Sequence, residues 1–96
     1  MKVVWSPRAR ITFFRILDYL AENWTNKEVE NFNERTENLV ELIKKSPRLF
    51  PYSKEHDVYR CVLVRQVSLF YRIRNERIEL LVFWDNRQDP AKLFAE

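Results

Sequence analysis

The sequence predicts an α+β fold: a short N-terminal strand, a two-helix hairpin and a three-stranded antiparallel meander, with the helices packed on one face of the sheet. Three observations predict it. Apolar residues between Ser6 and Pro47 recur at spacings of three and four, the mark of amphipathic helices. Between residues 58 and 85 the pattern shifts to β-branched and aromatic residues in strand-like runs. The breaks inside that second region are so short that neighbouring strands must run antiparallel. With 96 residues, 46% of them apolar, there is material for one core, and residues 1–96 are expected to form a single domain.

The stretch "KVVW" reads as the first strand, closed by Ser6 and Pro7. Ser6 suits a helix N-cap, and Pro7 suits the first helical position, where no amide hydrogen is needed. Phe13, Phe14, Leu17, Leu20, Ala21 and Trp24 then form one apolar stripe of a helix reaching about Asn23, with Trp24 expected in the core beside Trp5. Thr25 and Glu28 have the spacing of a capping box, so a second helix starts almost without a loop. Val29, Phe32, Thr36, Leu39, Val40 and Ile43 line its inner row, and glutamates dominate the opposite face. Lys44 and Lys45 suit a helix C-terminus, and Pro47 ends it. After the loop "SPRLFPYSKEHD" come "VYRCVLVR", "VSLFYRIR" and "RIELLVFWD", turning at Gln66 and at Asn75-Glu76. Asn75 tolerates the positive φ of a two-residue hairpin loop.

Several function classes are excluded by composition. The chain has no glycine, so no glycine-rich phosphate loop or dinucleotide motif is present. No apolar run is long enough for a membrane span or a signal-peptide core, and the lone Cys61 has no disulfide partner. A cytoplasmic protein without metal or cofactor is expected, with Cys61 as inert packing. Net charge is +3, but residues 1–43 carry six basic against seven acidic side chains and residues 44–96 eleven against seven. The positive excess in the C-terminal half suits a surface that meets phosphate or an acidic protein segment.

Arginines interrupt the apolar rows of the meander. By the two-residue period, Val58, Arg60, Val62 and Val64 share one side, as do Ser68, Phe70, Arg72 and Arg74. A guanidinium is rarely buried without a partner, so Arg60 and Arg72 are expected on a solvated face turned away from the helices, beside Arg87. Surface ion pairs with Asp57, Glu79 or Asp85 are the alternative. In "FWDNRQDP", Asn86 and Asp89-Pro90 suit a turn, while Arg87 between Asp85 and Asp89 suits a guanidinium held for a phosphate or an acidic partner. Trp84, beside these charges, is a candidate for stacking on a base.

The start Trp5-Ser6-Pro7-Arg8-Ala9, Arg60 early in the second strand, "LFYRI" and the ending "FWDNRQDP" together resemble the RelE/ParE superfamily of bacterial toxins across nearly the whole chain. The resemblance implies a toxin of a type II toxin–antitoxin, or plasmid-stabilisation, module, neutralised by a cognate antitoxin whose C-terminal segment wraps around it. RelE-like members cut messenger RNA in the ribosomal A site, and ParE-like members poison DNA gyrase. For metal-independent RNA cleavage, the resemblance implies that Arg60 and Arg87 hold phosphate, assisted by Lys54, with His56 as a candidate for proton transfer. RelE-like ribonucleases usually carry a tyrosine near the C-terminus, whereas after Arg87 the only aromatic here is Phe94, which cannot exchange a proton. The ending resembles ParE-like C-termini more closely. A gyrase poison is therefore the leading expectation, with Arg60, Arg72, Arg74, Trp84 and Arg87 as partner-binding residues. A RelE-like endoribonuclease and a repurposed member that only binds an antitoxin are the alternatives.

Overall fold

The structure, a computed structural model, describes residues 1–94. Strand β1 (Lys2–Trp5) leads into α1 (Pro7–Asn23) and α2 (Asn26–Lys45), followed by a two-residue strand β2 (Tyr52–Ser53), then β3 (Val58–Val64), β4 (Val67–Arg74) and β5 (Arg77–Asp85). A short 3-10 turn, Pro90–Lys92, follows β5. The expected α+β architecture is present. One element lay outside the sequence reading, the edge strand β2, whereas the turn expected at Asp89-Pro90 is present as the 3-10 turn.

The sheet order is β1-β5-β4-β3-β2, with β1 parallel to β5 and the other pairs antiparallel. Both expected turns are two residues long, and Asn75 and Glu76 take positive φ of 51° and 58°. That conformation matches the twist of the flanking strands. At the helix junction, the Glu28 carboxylate accepts from the Thr25 amide at 3.1 Å and from its hydroxyl. This is why α2 follows α1 with so little chain between them.

Strand β1 pairs with only the first half of β5, ending at Trp5 opposite Leu80. Two hydroxyls serve the edge of β5 beyond that point. Ser6 accepts from the Ala9 amide as helix cap and donates to the Leu81 carbonyl, both at 3.0 Å. Thr12 accepts from the Phe83 amide at 3.0 Å. Helix α1 is thus bonded to the strand it covers, and the two hydroxyls pair backbone groups at the edge that β1 does not reach.

The main core lies between helices and sheet: Ala9 and Phe13 of α1, Phe32 and Ile43 of α2, and Cys61, Leu63, Leu69, Tyr71, Ile78, Leu80 and Phe83 of the strands. Phe13 is its hub, with ring centroids 5.3 Å from Trp5, 5.7 Å from Phe32 and 5.0 Å from Phe83. Tyr71 is fully buried and donates its phenol to the Pro47 carbonyl at 2.6 Å, tying the loop after α2 to the sheet. Burial pushes the Cys61 thiol up to about 12, which keeps it protonated at neutral pH.

Four expectations need correction. Trp24 is not a core residue: it is 57% exposed, because it caps α1 in an extended conformation and turns away from the stripe. Phe14 is also exposed, one step round the helix from Phe13. The sheet face away from the helices is not simply solvated: Val58, Phe70, Val82, Trp84 and Leu93 form a second apolar cluster there, because the chain folds back after β5. Val64 leaves the row of Val58, Arg60 and Val62 at a register shift and packs towards the main core.

Candidate functional site

Two surfaces gather the charged residues. The first is a groove of about 750 Å³ between α1 and the end of the sheet formed by the β3–β4 turn and the end of β5. Residues spaced three or four apart on α1 line it, Arg8, Ile11, Arg15 and Tyr19, with Trp24 at the far end. Ile11 and Tyr19 are about half exposed. The opposite wall carries Arg87 and Lys92, giving an apolar groove with four basic side chains along it.

Arg87 is held firmly in this wall. Its Nε and Nη2 donate to the two Asp85 oxygens at 3.0 and 2.8 Å, and its amide donates to Asp85 Oδ1 at 2.9 Å. The Arg87 hydrogen bond holds the Asp85 carboxyl below the usual carboxylate range, and Asp85 in turn raises the already high pKa of Arg87, with Tyr19 adding to it. Asp89 does not share in this fork: its carboxylate accepts from the Ala91 amide at 3.0 Å and caps the C-terminal turn. A group with a depressed folded pKa stabilises the fold above its unfolded pKa, and that contribution is lost as pH falls through the folded value. Asp85→Asn is therefore expected to destabilise at pH 7 and to flatten the loss of stability below about pH 4, the unfolded carboxylate pKa. Denaturant unfolding of both proteins between pH 7 and pH 2 checks this.

The second surface is the outer sheet face. Arg60 stands there, its Nε donating to the buried Ser68 hydroxyl at 3.1 Å and its Nη2 to Asn86 Oδ1 at 3.4 Å. Arg72 donates from Nη2 to the His56 carbonyl at 3.3 Å, and Arg74 lies 3.8 Å from Asp57. Among the described residues neither Arg60 nor Arg72 forms an ion pair, so the expected alternative of pairing with Asp57, Glu79 or Asp85 is absent for both. Arg87 does not join them, because its fork with Asp85 turns it into the α1 groove.

The remaining candidates are dispersed. Lys54 is exposed in the turn between β2 and β3. The His56 ring stacks on Phe94 with centroids 4.4 Å apart. Trp84 is only 7% exposed, lies in the second apolar cluster, and has the Arg8 guanidinium 5.9 Å from its ring centre, so its faces are already engaged. Sequence reading missed Arg8, Arg15 and Tyr19 as members of a site. The available signal was their recurrence with Ile11 as a second row on α1, beside the buried one. Among the described residues no group of three His, Cys, Asp or Glu side chains could hold a metal ion, and no helix is long and apolar enough to cross a membrane.

The family described as the ParE toxin of type II toxin–antitoxin system, parDE, matches residues 3–90. Among solved structures, the chromosomal ParDE toxin–antitoxin system from P. aeruginosa is similar at TM-score 0.75 and 16% identity, covering 88% of this chain and 95% of that one. The YoeB/ParE toxin from Agrobacterium tumefaciens aligns at TM-score 0.61 and 14% identity, covering 88% and 98%. The YoeB–YefM complex from Staphylococcus aureus aligns at TM-score 0.56 and 18% identity, covering 88% and 94%. At these identities the structural likeness concerns the fold. No curated protein matches the sequence significantly.

Proposed function

The chain belongs to the ParE toxin family of type II toxin–antitoxin systems, and from that premise we propose that it is a growth-inhibiting toxin directed at DNA gyrase and silenced by a cognate antitoxin docked along the α1 groove. One observation supports the choice of gyrase over messenger RNA: Tyr52, Tyr59 and Tyr71 lie on the opposite side of the sheet from Arg60, and His56, on Arg60's side, is stacked on Phe94 and is not among the hydrogen-bond partners of Arg60. Tyr52, Tyr59 and Tyr71 are cross-strand partners and so share one face, with Tyr52 tilted against Tyr59 at 4.7 Å between ring centroids and Tyr59 stacked on Tyr71 at 5.1 Å. Arg60, one position along from Tyr59, projects to the other face.

These tyrosines are also committed elsewhere. The Tyr71 phenol is bonded to Pro47, and burial raises its pKa. The Tyr52 phenol donates to the Asp57 carboxylate at 2.6 Å, which also raises its pKa. RNA cleavage requires an acid and a base within hydrogen-bond reach of the phosphate that the arginine grips. Arg60 has Ser68 and Asn86 as its bonded neighbours instead. Gripping a protein requires no such pair.

The antitoxin half of the proposal rests on the groove and on relatives solved as toxin–antitoxin systems or complexes. Exposed Ile11, Tyr19 and Trp24 beside Arg8, Arg15 and Lys92 complement an amphipathic segment with apolar anchors and acidic flanks. With purified gyrase and relaxed plasmid, the chain is expected to block supercoiling, and its antitoxin to restore it. Unimpaired supercoiling at saturating protein would overturn the proposal.

A further inference from the structure

We infer that a pocket between the start of α1 and the outer sheet face is an oxyanion site that takes a phosphate group, free or carried by a nucleotide. The pocket, of about 440 Å³, is lined by Arg8, His56, Arg72, Leu81, Val82 and Phe94 together with the cap residue Ser6. Its distinctive feature is Arg72. The Nε of this guanidinium is fully buried and has no acceptor among the described residues, although Nη2 is anchored on the His56 carbonyl. A buried guanidinium N–H without a partner marks a place where an acceptor belongs.

Three further observations give the missing acceptor its charge. Arg8 is fixed at the rim by donating Nη1 to the Leu93 carbonyl at 2.6 Å, which leaves its other donors available. The positive end of α1 adjoins the same pocket, and the first turn of that helix contains no acidic residue. Among the described residues no carboxylate lines the pocket. Of the carboxylates nearby, Glu79 is the cross-strand partner of Arg72 without forming an ion pair, Asp57 is paired with Arg74, and Glu55 lies 3.9 Å from His56.

Two separated guanidinium groups and a helix N-terminus suit a dianion with several acceptor oxygens better than a single carboxylate. At the mouth, the stacked rings of His56 and Phe94 present a flat wall on which a nucleobase could continue the stack. Apart from Arg8, none of these residues lines the α1 groove, so this site and the antitoxin surface are separable by mutation.

The test is calorimetric titration of the full chain with inorganic phosphate and, separately, adenosine monophosphate, at constant ionic strength with chloride as control. The Arg72 Nε–H resonance is followed by ¹⁵N NMR in the same series. Saturable binding and a shifted Arg72 Nε–H signal are expected, with about tenfold weaker binding in Arg72→Lys, which keeps the charge and loses the fork. Tighter binding of the nucleotide identifies the stack as part of the site, and equal binding identifies phosphate alone as the ligand. Absence of saturation, an unmoved Nε–H signal in the wild-type chain, or unchanged affinity in a folded Arg72→Lys variant would each overturn the inference. The NMR readout needs no variant and holds even if Arg72→Lys fails to fold.

Discussion

Phe13→Ala is expected to cost about 3–5 kcal/mol of unfolding free energy, the range for removing a large aromatic from a packed core. The site leaves little room for relaxation. The Phe13 ring touches Trp5 of β1, Phe32 of α2 and Phe83 of β5, so one truncation loosens both helices and the sheet at once. Aromatic pairs in such tilted and edge-on arrangements add to the area they bury. Because small domains are stable by only about 5–15 kcal/mol, the variant should be partly unfolded near physiological temperature. Denaturant unfolding followed by tryptophan fluorescence checks this. Its neighbour provides the control: Phe14 is 60% exposed, and Phe14→Ala should change stability by no more than about 0.5–1 kcal/mol.

The opposite pattern is expected of Trp24→Ala. With 57% of its surface exposed, Trp24 contributes little to folding, and its backbone N–H still bonds the Leu20 carbonyl after truncation. Its place at the end of the α1 groove makes it the largest apolar anchor that a docked segment could cover. Truncating such an anchor commonly costs 2 kcal/mol or more, so antitoxin affinity should fall by roughly thirtyfold or more. The melting temperature of the free toxin should stay within a few degrees. Calorimetry with the cognate antitoxin, paired with a thermal melt, separates the two effects. A large loss of stability would return Trp24 to the core, and unchanged affinity would move the antitoxin to another face.

Particular residues show what could be read from sequence and what could not. The two helices, their junction at Thr25 and Glu28, and the turn at Asn75-Glu76 were legible because each depends on neighbours a few positions away. Trp24 was misplaced because the helical period was extended one residue past the point where the backbone leaves the helix. The outer cluster was hidden by a register shift between Phe70 and Tyr71, opposite Leu81. Counting by twos from Ile78 places Val82 and Trp84 with the main core, whereas the extra residue in β5 turns both to the outer face.

The charged residues divide along the same line. That Arg60 and Arg72 face away from the helices follows from strand alternation. That Arg87 leaves their company follows from a fork with Asp85, two residues away, and from a turn that delivers it to α1. Nothing in local pattern distinguishes that outcome from an arginine lying across the sheet. Arg8 belongs to both charged surfaces only because the chain's two ends meet, with its guanidinium bonded to Leu93. Contacts over such a sequence separation carry no periodic signal.

The proposed target of this toxin is gyrase and not messenger RNA. The most direct measurement is induced expression in a bacterial host without antitoxin, with plasmid supercoiling and messenger-RNA 5′ ends measured from the same culture. Lost supercoiling with intact messages is the expected result. New 5′ ends at ribosomal A-site positions, with supercoiling preserved, would contradict it and would require a proton donor beside Arg60 that the arrangement of Tyr52, Tyr59 and Tyr71 does not provide.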